Sequence, residues 1–368
     1  MSIEVGLVGL PNAGKSTIFN IFTRQNVPAE NFPFCTIDPN VGVTTVDDPR
    51  LEQLASLIQP KNVRKISVNL IDIAGLVRGA HQGEGLGNQF LHHIRTVDAI
   101  AFVLRAFEDP SVSHVLGDVN PMRDYDILMT ELLYADLASV QGSLEKVRKK
   151  NKVARSKEDL EFQRLLESLE SWIAQEKPAR TFEKTVNTEF EVYRMNLLTN
   201  KPAFLIINIS EAELEVESEV SKLEKIILMF AEEQMPVVPF CVPIEEMLLN
   251  VSKEEREDIY RQYNLPMSGV ELSGLIILKI LNLITFFTVG EEEVAAWAIK
   301  EGTTAKKAAE KIHSDIAQGF VKAEVVSFED FISAGSFAKA RAQGNLRLEG
   351  RDYIVKDGDI IHFRFNVA

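Results

Sequence analysis

The sequence predicts an α/β fold: a mainly parallel sheet with helices on both faces, interrupted by a helical hairpin and followed by a small β-rich domain. Three observations predict it. Short apolar runs at residues 3–8, 68–71, 100–104, 203–207 and 237–240 alternate with helical patterns. Residues 124–198 carry leucine stripes with little glycine and almost no proline. From about residue 283 the texture changes to short strand-like runs separated by turns.

Each apolar run is continuous and ends at a turn or an abrupt polar change, the pattern of a strand buried on both faces of a parallel sheet. Such a sheet needs helices on both sides and right-handed crossovers. Within the long insertion, Leu128, Leu132, Leu133, Leu137, Leu144 and Val147 fit one stripe, and Phe162, Leu165, Leu166, Leu169 and Ile173 fit another. A polar break at 151–159 separates them, which implies an antiparallel hairpin. Two ordinary covering helices are the alternative, but the insertion is too long for a usual crossover. In the tail, residues 297–299, 323–326, 347–348 and 360–365 read as strands and 306–312 as a helix. The expected domains are 1–282 for the sheet, 124–198 for the hairpin inserted in it, and 283–366 for the tail.

Composition narrows the function. A chain of 368 residues holds two or three domains at roughly 100–200 residues each. Lysine and arginine total 40 against 54 aspartates and glutamates, a formal charge of −14. That excludes a general nucleic-acid coat, so any such contact must use a local basic patch. The two cysteines, Cys35 and Cys241, exclude a disulfide framework or zinc cluster and suit a reducing cytosol. The first apolar run carries Glu4 and lacks a basic leader, so no signal peptide is expected. The most apolar later stretch, 272–289, is broken by Ser273, Gly274, Lys279, Asn282 and Thr285. It reads as a buried helix and strand, not a membrane span. The expected location is cytoplasmic.

Residues 9–16, Gly-Leu-Pro-Asn-Ala-Gly-Lys-Ser, match the phosphate-loop pattern G-x-x-x-x-G-K-[ST] between a buried run and a helical pattern. Glycines let backbone N–H groups close around phosphate oxygens, and a helix N-terminus adds positive potential there. Asn12, Ala13, Gly14, Lys15, Ser16 and Thr17 are the expected nucleotide-binding residues, with Lys15 reaching the β and γ phosphates and Ser16 ligating Mg²⁺. Asp72 and Gly75 end the second apolar run as D-x-x-G. The Asp72 carboxylate suits Mg²⁺, and the Gly75 amide suits the γ phosphate. Gly79, Gly83, Gly85 and Gly87 follow, a run that reads as a switch ordered by nucleotide. Thr36 lies where a first switch would meet the metal, with Thr44 and Thr45 as competitors.

Guanine readers on such folds use Asn-Lys-x-Asp after the fourth strand. Here residues 208–211 read Asn-Ile-Ser-Glu. Asn208 can meet N7 of either purine or accept from the 6-amino group of adenine. Ile209 lacks the lysine stem and charge, and Glu211 is a methylene too long for the guanine fork. Adenine needs no such carboxylate, so ATP is favoured over GTP. A strand end with a helix cap is the alternative reading.

With these motifs the chain resembles the YchF or Obg-like ATPases, a group within the translation-factor class of P-loop proteins. The resemblance rests on residues 9–16, 31–42 (NFPFCTIDPNVG), 72–87 and 208–211, with Ile312 to Asp315, Gly319-Phe320 and Asp357-Gly358-Asp359 in the tail. It implies an Obg-type nucleotide domain, an inserted hairpin and a C-terminal TGS domain. It also implies a preference for ATP and association with ribosomes and with stress responses. Leu76 stands where GTPases often place a water-orienting glutamine, and the resemblance points instead to His114 as the catalytic residue beside Lys15. Asn12 matches a position linked to K⁺ in related enzymes. The family's fifth motif is usually Ser/Cys-Ala-x-x-Glu, but here it reads Cys241-Val242-Pro243-Ile244-Glu245, which weakens the expected base contact from that loop.

Lys146, Arg148, Lys149, Lys150, Lys152, Arg155 and Lys157 cluster at the hairpin tip, with only Glu145 and Glu158 nearby in sequence. Such a patch can hold rRNA or tRNA phosphates by counterion release, although a solvated helix face is the plainer reading. The TGS-like tail offers a second surface for RNA or ribosomal protein, where His313 and Asp315 look like a helix-end pair. The expected function is an ATP-binding and ATP-hydrolysing switch on the ribosome. The alternatives are a GTPase assembly factor and an RNA-binding adaptor with a structural nucleotide site.

Overall fold

The structure, a computed structural model, describes residues 2–24, 41–73, 86–153, 156–214, 224, 227–228, 230 and 235–366. Thr36, Cys35, Gly75, Leu76, Gly79, Gly83, Gly85 and Arg155 lie outside the described residues.

The first apolar run forms β1 (Ile3–Val8), and the phosphate-loop pattern opens α1 (Lys15–Arg24). After β2 (Val41–Val46), α2 (Pro49–Ile58) and β3 (Asn62–Arg64) comes β4 (Ile66–Asp72), which carries Asp72 as its last residue. Then follow α3 (Leu86–Thr96), which includes Gly87, and β5 (Ala99–Arg105). The insertion forms α4 (Pro121–Val153), α5 (Lys157–Ile173) and α6 (Val186–Arg194). The sheet resumes with β6 (Ala203–Ile209) and β7 (Val237–Cys241), followed by α7 (Val242–Leu248), α8 (Lys253–Gln262) and α9 (Gly269–Ile280).

Two compact units are present. One comprises Glu4–Gly42 and Asn69–Val270, and the other Met1–Ile3, Val43–Val68 and Glu271–Ala368. In the first, strands run in the order β4-β1-β5-β6-β7, with parallel pairing from β1 through β7. All seven residues of β5 and all seven of β6 are buried, as strands covered on both faces must be. Chain order departs in opposite directions from β1, because β4 lies on one side of it and β5 on the other. That is a topological switch point, where the carboxyl ends of open α/β sheets form their ligand crevice.

The hairpin helices pack through the predicted stripes: Leu128, Leu132, Leu144, Leu166, Leu169 and Ile173 are all buried. Ser156 caps α5 by accepting from the Asp159 N–H, which fixes where the helix restarts. At the base, the buried Asp136 carboxylate accepts from the N–H groups of Leu198 and Thr199, each at 2.8 Å, and from Thr199 Oγ1 at 2.7 Å. Burial raises the Asp136 pKa against the pull of those bonds.

The tip differs from its sequence reading. Antiparallel packing brings Asp159 to 2.8 Å from Lys150 and Glu167 to 2.9 Å from Arg148. Glu161 lies 3.8 Å from Lys157. Lys146 and Lys152 are exposed and have no such partner among the described residues.

In the second unit, β8 (Leu283–Val289) and β9 (Glu293–Lys300) form an antiparallel pair. They precede α10 (Ala305–Ile312), α11 (Ser314–Gln318) and β10 (Phe320–Val326). The unit continues with α12 (Phe328–Ala334), α13 (Phe337–Ala342), β11 (Arg347–Glu349) and β12 (Ile360–Phe365). Its sheet order is β11-β10-β12-β8-β9-β3. Phe286, Trp297, Phe320 and Phe363 fill its core. The segment before β4 is built into this unit: β3 pairs in parallel with β9, and the Arg64 guanidinium lies 4.6 Å from the Trp297 ring centroid. His313 Nδ1 accepts from the Asp315 N–H at 3.2 Å, capping α11. The apolar stretch 272–289 is divided between α9 and β8, and among the described residues no helix is long and apolar enough to cross a membrane. Cys241 is buried, and burial pushes its thiol up to about 11.

Candidate functional site

Beyond β1 the chain makes a tight turn that only particular residues allow. A Cβ on Gly9 would lie 2.4 Å from the Val103 carbonyl oxygen, and one on Gly14 would lie 2.3 Å from Asn208 Nδ2. Gly14 also adopts φ +96°, and Asn12 φ +64°, values that favour glycine and asparagine. The turn delivers the chain into α1, whose first turn holds no acidic residue. Its N-terminal N–H groups and dipole therefore remain available to an anion.

Lys15 is buried, and its Nζ donates to the carbonyls of Gly9 at 2.9 Å and Leu10 at 3.0 Å. Burial lowers its pKa, and the charge of Asp72 opposes that shift. Ser16 Oγ donates to Asp72 Oδ2 at 3.1 Å. Asp72 Oδ1 is buried with no hydrogen-bond partner among the described residues. A hydroxyl and a carboxylate with an oxygen to spare suit a hard divalent cation that keeps several waters, as Mg²⁺ does.

The base-side motif joins the same turn. Arg105 and Asn208 are register partners on β5 and β6, and buried Asn208 donates through Nδ2 to Ala13 O at 3.1 Å. The cap left open in the sequence reading is made by Ser210: its N–H donates to Glu213 Oε2 at 2.9 Å. Glu211 instead faces a cleft of about 620 Å³ beside Asn12, Gly14 and Thr17, within the usual size range of small-ligand sites. Asn208, Ile209, Phe107, Val242 and Pro243 also line this cleft. Glu245 does not. It is buried and accepts from the Gly269 N–H at 2.5 Å, so it braces the start of α9. Phe107 and Val112 were missed in the sequence. The available signal was position, since Phe107 lies two residues past the carboxyl end of β5.

His114 lies on the loop between β5 and α4, one residue past Ser113, whose carbonyl accepts from Asn12 Nδ2 at 3.0 Å. The imidazole itself is turned inward, with its side chain 3% exposed. Nδ1 accepts from the Leu116 N–H at 3.2 Å, and Nε2 lies 2.8 Å from Asp124 Oδ2. An accepting Nδ1 assigns the proton to Nε2. Both ring nitrogens are therefore committed. The loop is brought to the phosphate turn, but the histidine ring is held in a pocket with Asp124.

The sheet, its switch-point turn and the lysine-bearing helix start define a P-loop nucleotide-binding protein of the GTPase type. Residues 4–135 match the family model MMR_HSR1, described as 50S ribosome-binding GTPase. Residues 283–366 match YchF-GTPase_C, described as a protein of unknown function. Relatives extend over the whole chain. It is 42% identical over 367 residues to the ribosome-binding ATPase YchF of Bacillus subtilis (strain 168), covering 100% of both chains. It is 41% identical over 370 residues to that of Escherichia coli O157:H7, again covering 100% of both. The solved structure of the Schizosaccharomyces pombe YchF GTPase matches with a TM-score of 0.87 and 36% identity, covering 99% of this chain and 98% of that one. The chain belongs to the YchF family.

Proposed function

We propose that this protein is an ATP-hydrolysing molecular switch that associates with the ribosome. One observation carries the reading: a single cleft of about 620 Å³ is lined both by Asn12 and Gly14 of the phosphate turn and by Asn208 and Glu211 of the base-side motif. Glu211 stands where a guanine reader places a shorter aspartate. The name shared by the bacterial relatives, ribosome-binding ATPase, supports the same choice.

In this reading Lys15 leaves the Gly9 and Leu10 carbonyls for the β and γ phosphate oxygens. Backbone N–H groups from Ala13 to Thr17 hold the remaining oxygens, and the Gly75 N–H meets the γ phosphate. Ser16, Asp72 and Thr36 would hold Mg²⁺, which when bound neutralises charge on the β and γ oxygens. Asn12 would hold K⁺ through its side-chain oxygen, since its nitrogen is engaged by Ser113. Water attacks the γ phosphorus in line as the bond to the bridging oxygen breaks, releasing ADP and phosphate. Leu76 cannot orient that water, so the role falls to His114 once its ring leaves Asp124. The exposed Lys146 and Lys152 at the hairpin tip, with the C-terminal unit, would meet rRNA or tRNA phosphates.

Binding of ATP and GTP to the same sample, with and without K⁺, tests the nucleotide assignment. Steady phosphate release that disappears in Lys15→Ala tests hydrolysis. GTP bound tighter by tenfold, about 1.4 kcal/mol, would transfer the reading to a GTPase, the word used for the fission-yeast structure.

A further inference from the structure

We infer that Arg105 is a positioning residue of the nucleotide site: its guanidinium fixes the turn at residues 107–113 and thereby sets Phe107 as a wall of the base recess. The inference rests on the reading of the cleft given above and extends it to a residue outside the recognised motifs. Arg105 is the last residue of β5 and 2% exposed. Its Nε donates to Phe107 O at 3.1 Å, Nη1 to Val112 O at 2.9 Å and Nη2 to Asp109 O at 3.3 Å. Its Cζ lies 4.5 Å from the Phe107 ring centroid. One planar fork therefore gathers three carbonyls of a single turn and stacks on an aromatic ring at its start.

That turn is the side of the cleft facing Asn208. Phe107, Asp109 and Val112 all line the cleft. Adjacent backbone ties the turn to the opposite wall, since the Ala106 N–H donates to Asn208 O at 2.8 Å. The far end is tied to the phosphate turn by Asn12 at Ser113 O. Arg105 supplies the bonds between these two anchors. An ammonium cannot replace it, because a lysine projects its donors from one atom and has no planar face to stack. Removing the fork leaves Phe107 free to collapse into the recess or swing away from it, while the Gly9–Ser16 turn keeps its own bonds.

The test compares ATP with tripolyphosphate, which carries the phosphates but no base, on the full-length chain. Arg105→Lys is expected to weaken ATP binding by about tenfold, about 1.4 kcal/mol, and to raise KM more than it lowers kcat. Tripolyphosphate affinity should change by less than about twofold. In a Phe107→Ala background, Arg105→Lys should add little further loss, because both changes remove the same wall. Should Arg105→Lys fail to fold, Arg105→Gln carries the same comparison, being uncharged and able to keep one of the three bonds. Equal losses for both probes, an unchanged ATP affinity, or full additivity with Phe107→Ala would overturn the role of Arg105. A wild-type protein that binds tripolyphosphate as tightly as any nucleoside triphosphate would instead overturn the reading of the recess.

Discussion

Asn12 Nδ2 donates to the carbonyl oxygen of Ser113 at 3.0 Å, joining residues 101 positions apart. Through this bond the phosphate turn holds the loop that carries His114. Asn12 is exposed, and its bond to Ser113 lies on the solvent-accessible side of the turn.

Lys15 carries two linked predictions. Lys15→Met should lower phosphate release by at least ~100-fold, the scale for losing one charge-stabilising donor. Its folded pKa lies below the model-peptide value of 10.5 because burial disfavours the charge. The folded state therefore binds this proton less tightly than the unfolded chain. Stability from this group is fully present above 10.5 and is lost as pH falls through the folded value. Lys15→Met should accordingly melt above wild type at neutral pH, with the gap closing as the buffer is taken up past 10.5. Melting curves across that range check the sign.

Asp124 holds His114 by a bond of 2.8 Å between two buried side chains. Under the proposed hydrolytic role, the ring has first to leave Asp124. A bond to a charged group is worth ~1.5 kcal/mol or more, so Asp124→Ala should raise basal phosphate release by roughly tenfold. The gain should vanish in Asp124→Ala/His114→Ala. A rise that persists without His114 would show that the loop acts by another group.

The phosphate turn and Asn208 were legible because their chemistry is local: a glycine-lysine-serine turn and a strand-end asparagine declare themselves within a few residues. Arg105 was not legible, since its three acceptors are main-chain carbonyls that leave no side-chain signature. The inward turn of His114 was not legible because its partner, Asp124, sits in the first turn of α4 and looks like an ordinary helix-start acid. The hairpin tip looked more basic than it is because Asp159 and Glu167 reach Lys150 and Arg148 only through antiparallel register. Segment 43–68 gave no hint of joining the tail, because the three residues of β3 are all exposed and show no apolar alternation.

Glu211 tests the base assignment from the opposite direction. It lines the recess beside Asn208, and shortening it by one methylene restores the carboxylate reach that guanine needs. Glu211→Asp should raise GTP affinity by about tenfold, about 1.4 kcal/mol, while ATP affinity changes little. Ile209→Lys, the other missing feature of a guanine reader, should instead destabilise the fold, because Ile209 is 2% exposed and an ammonium there loses its water. Competition binding with the two nucleotides, alongside melting of both variants, separates these effects.

Arg50 anchors the segment before β4 within the C-terminal unit. Its Nη1 donates to Asp357 Oδ2 at 2.6 Å, its Nε and Nη2 to the two oxygens of Asp48 at 3.0 and 2.8 Å, and its Cζ lies 5.3 Å from the Phe287 ring centroid. Asp357 in turn accepts from the Thr285 N–H at 2.8 Å, so one guanidinium links α2 to β8 through a shared carboxylate. Both carboxylates raise the arginine pKa against the effect of its burial. Arg50→Ala should cost ~1.5–3 kcal/mol, the range for hydrogen bonds to charged groups. Arg50→Lys should recover only part of that, lacking the fork that serves two acids at once. Since Thr36 and Asp72 flank this segment in sequence, amide exchange in residues 49–64 should quicken in Arg50→Ala while exchange in β5 and β6 stays at the wild-type rate. Equal acceleration everywhere would place the clamp's effect on global unfolding rather than on the anchoring of this segment.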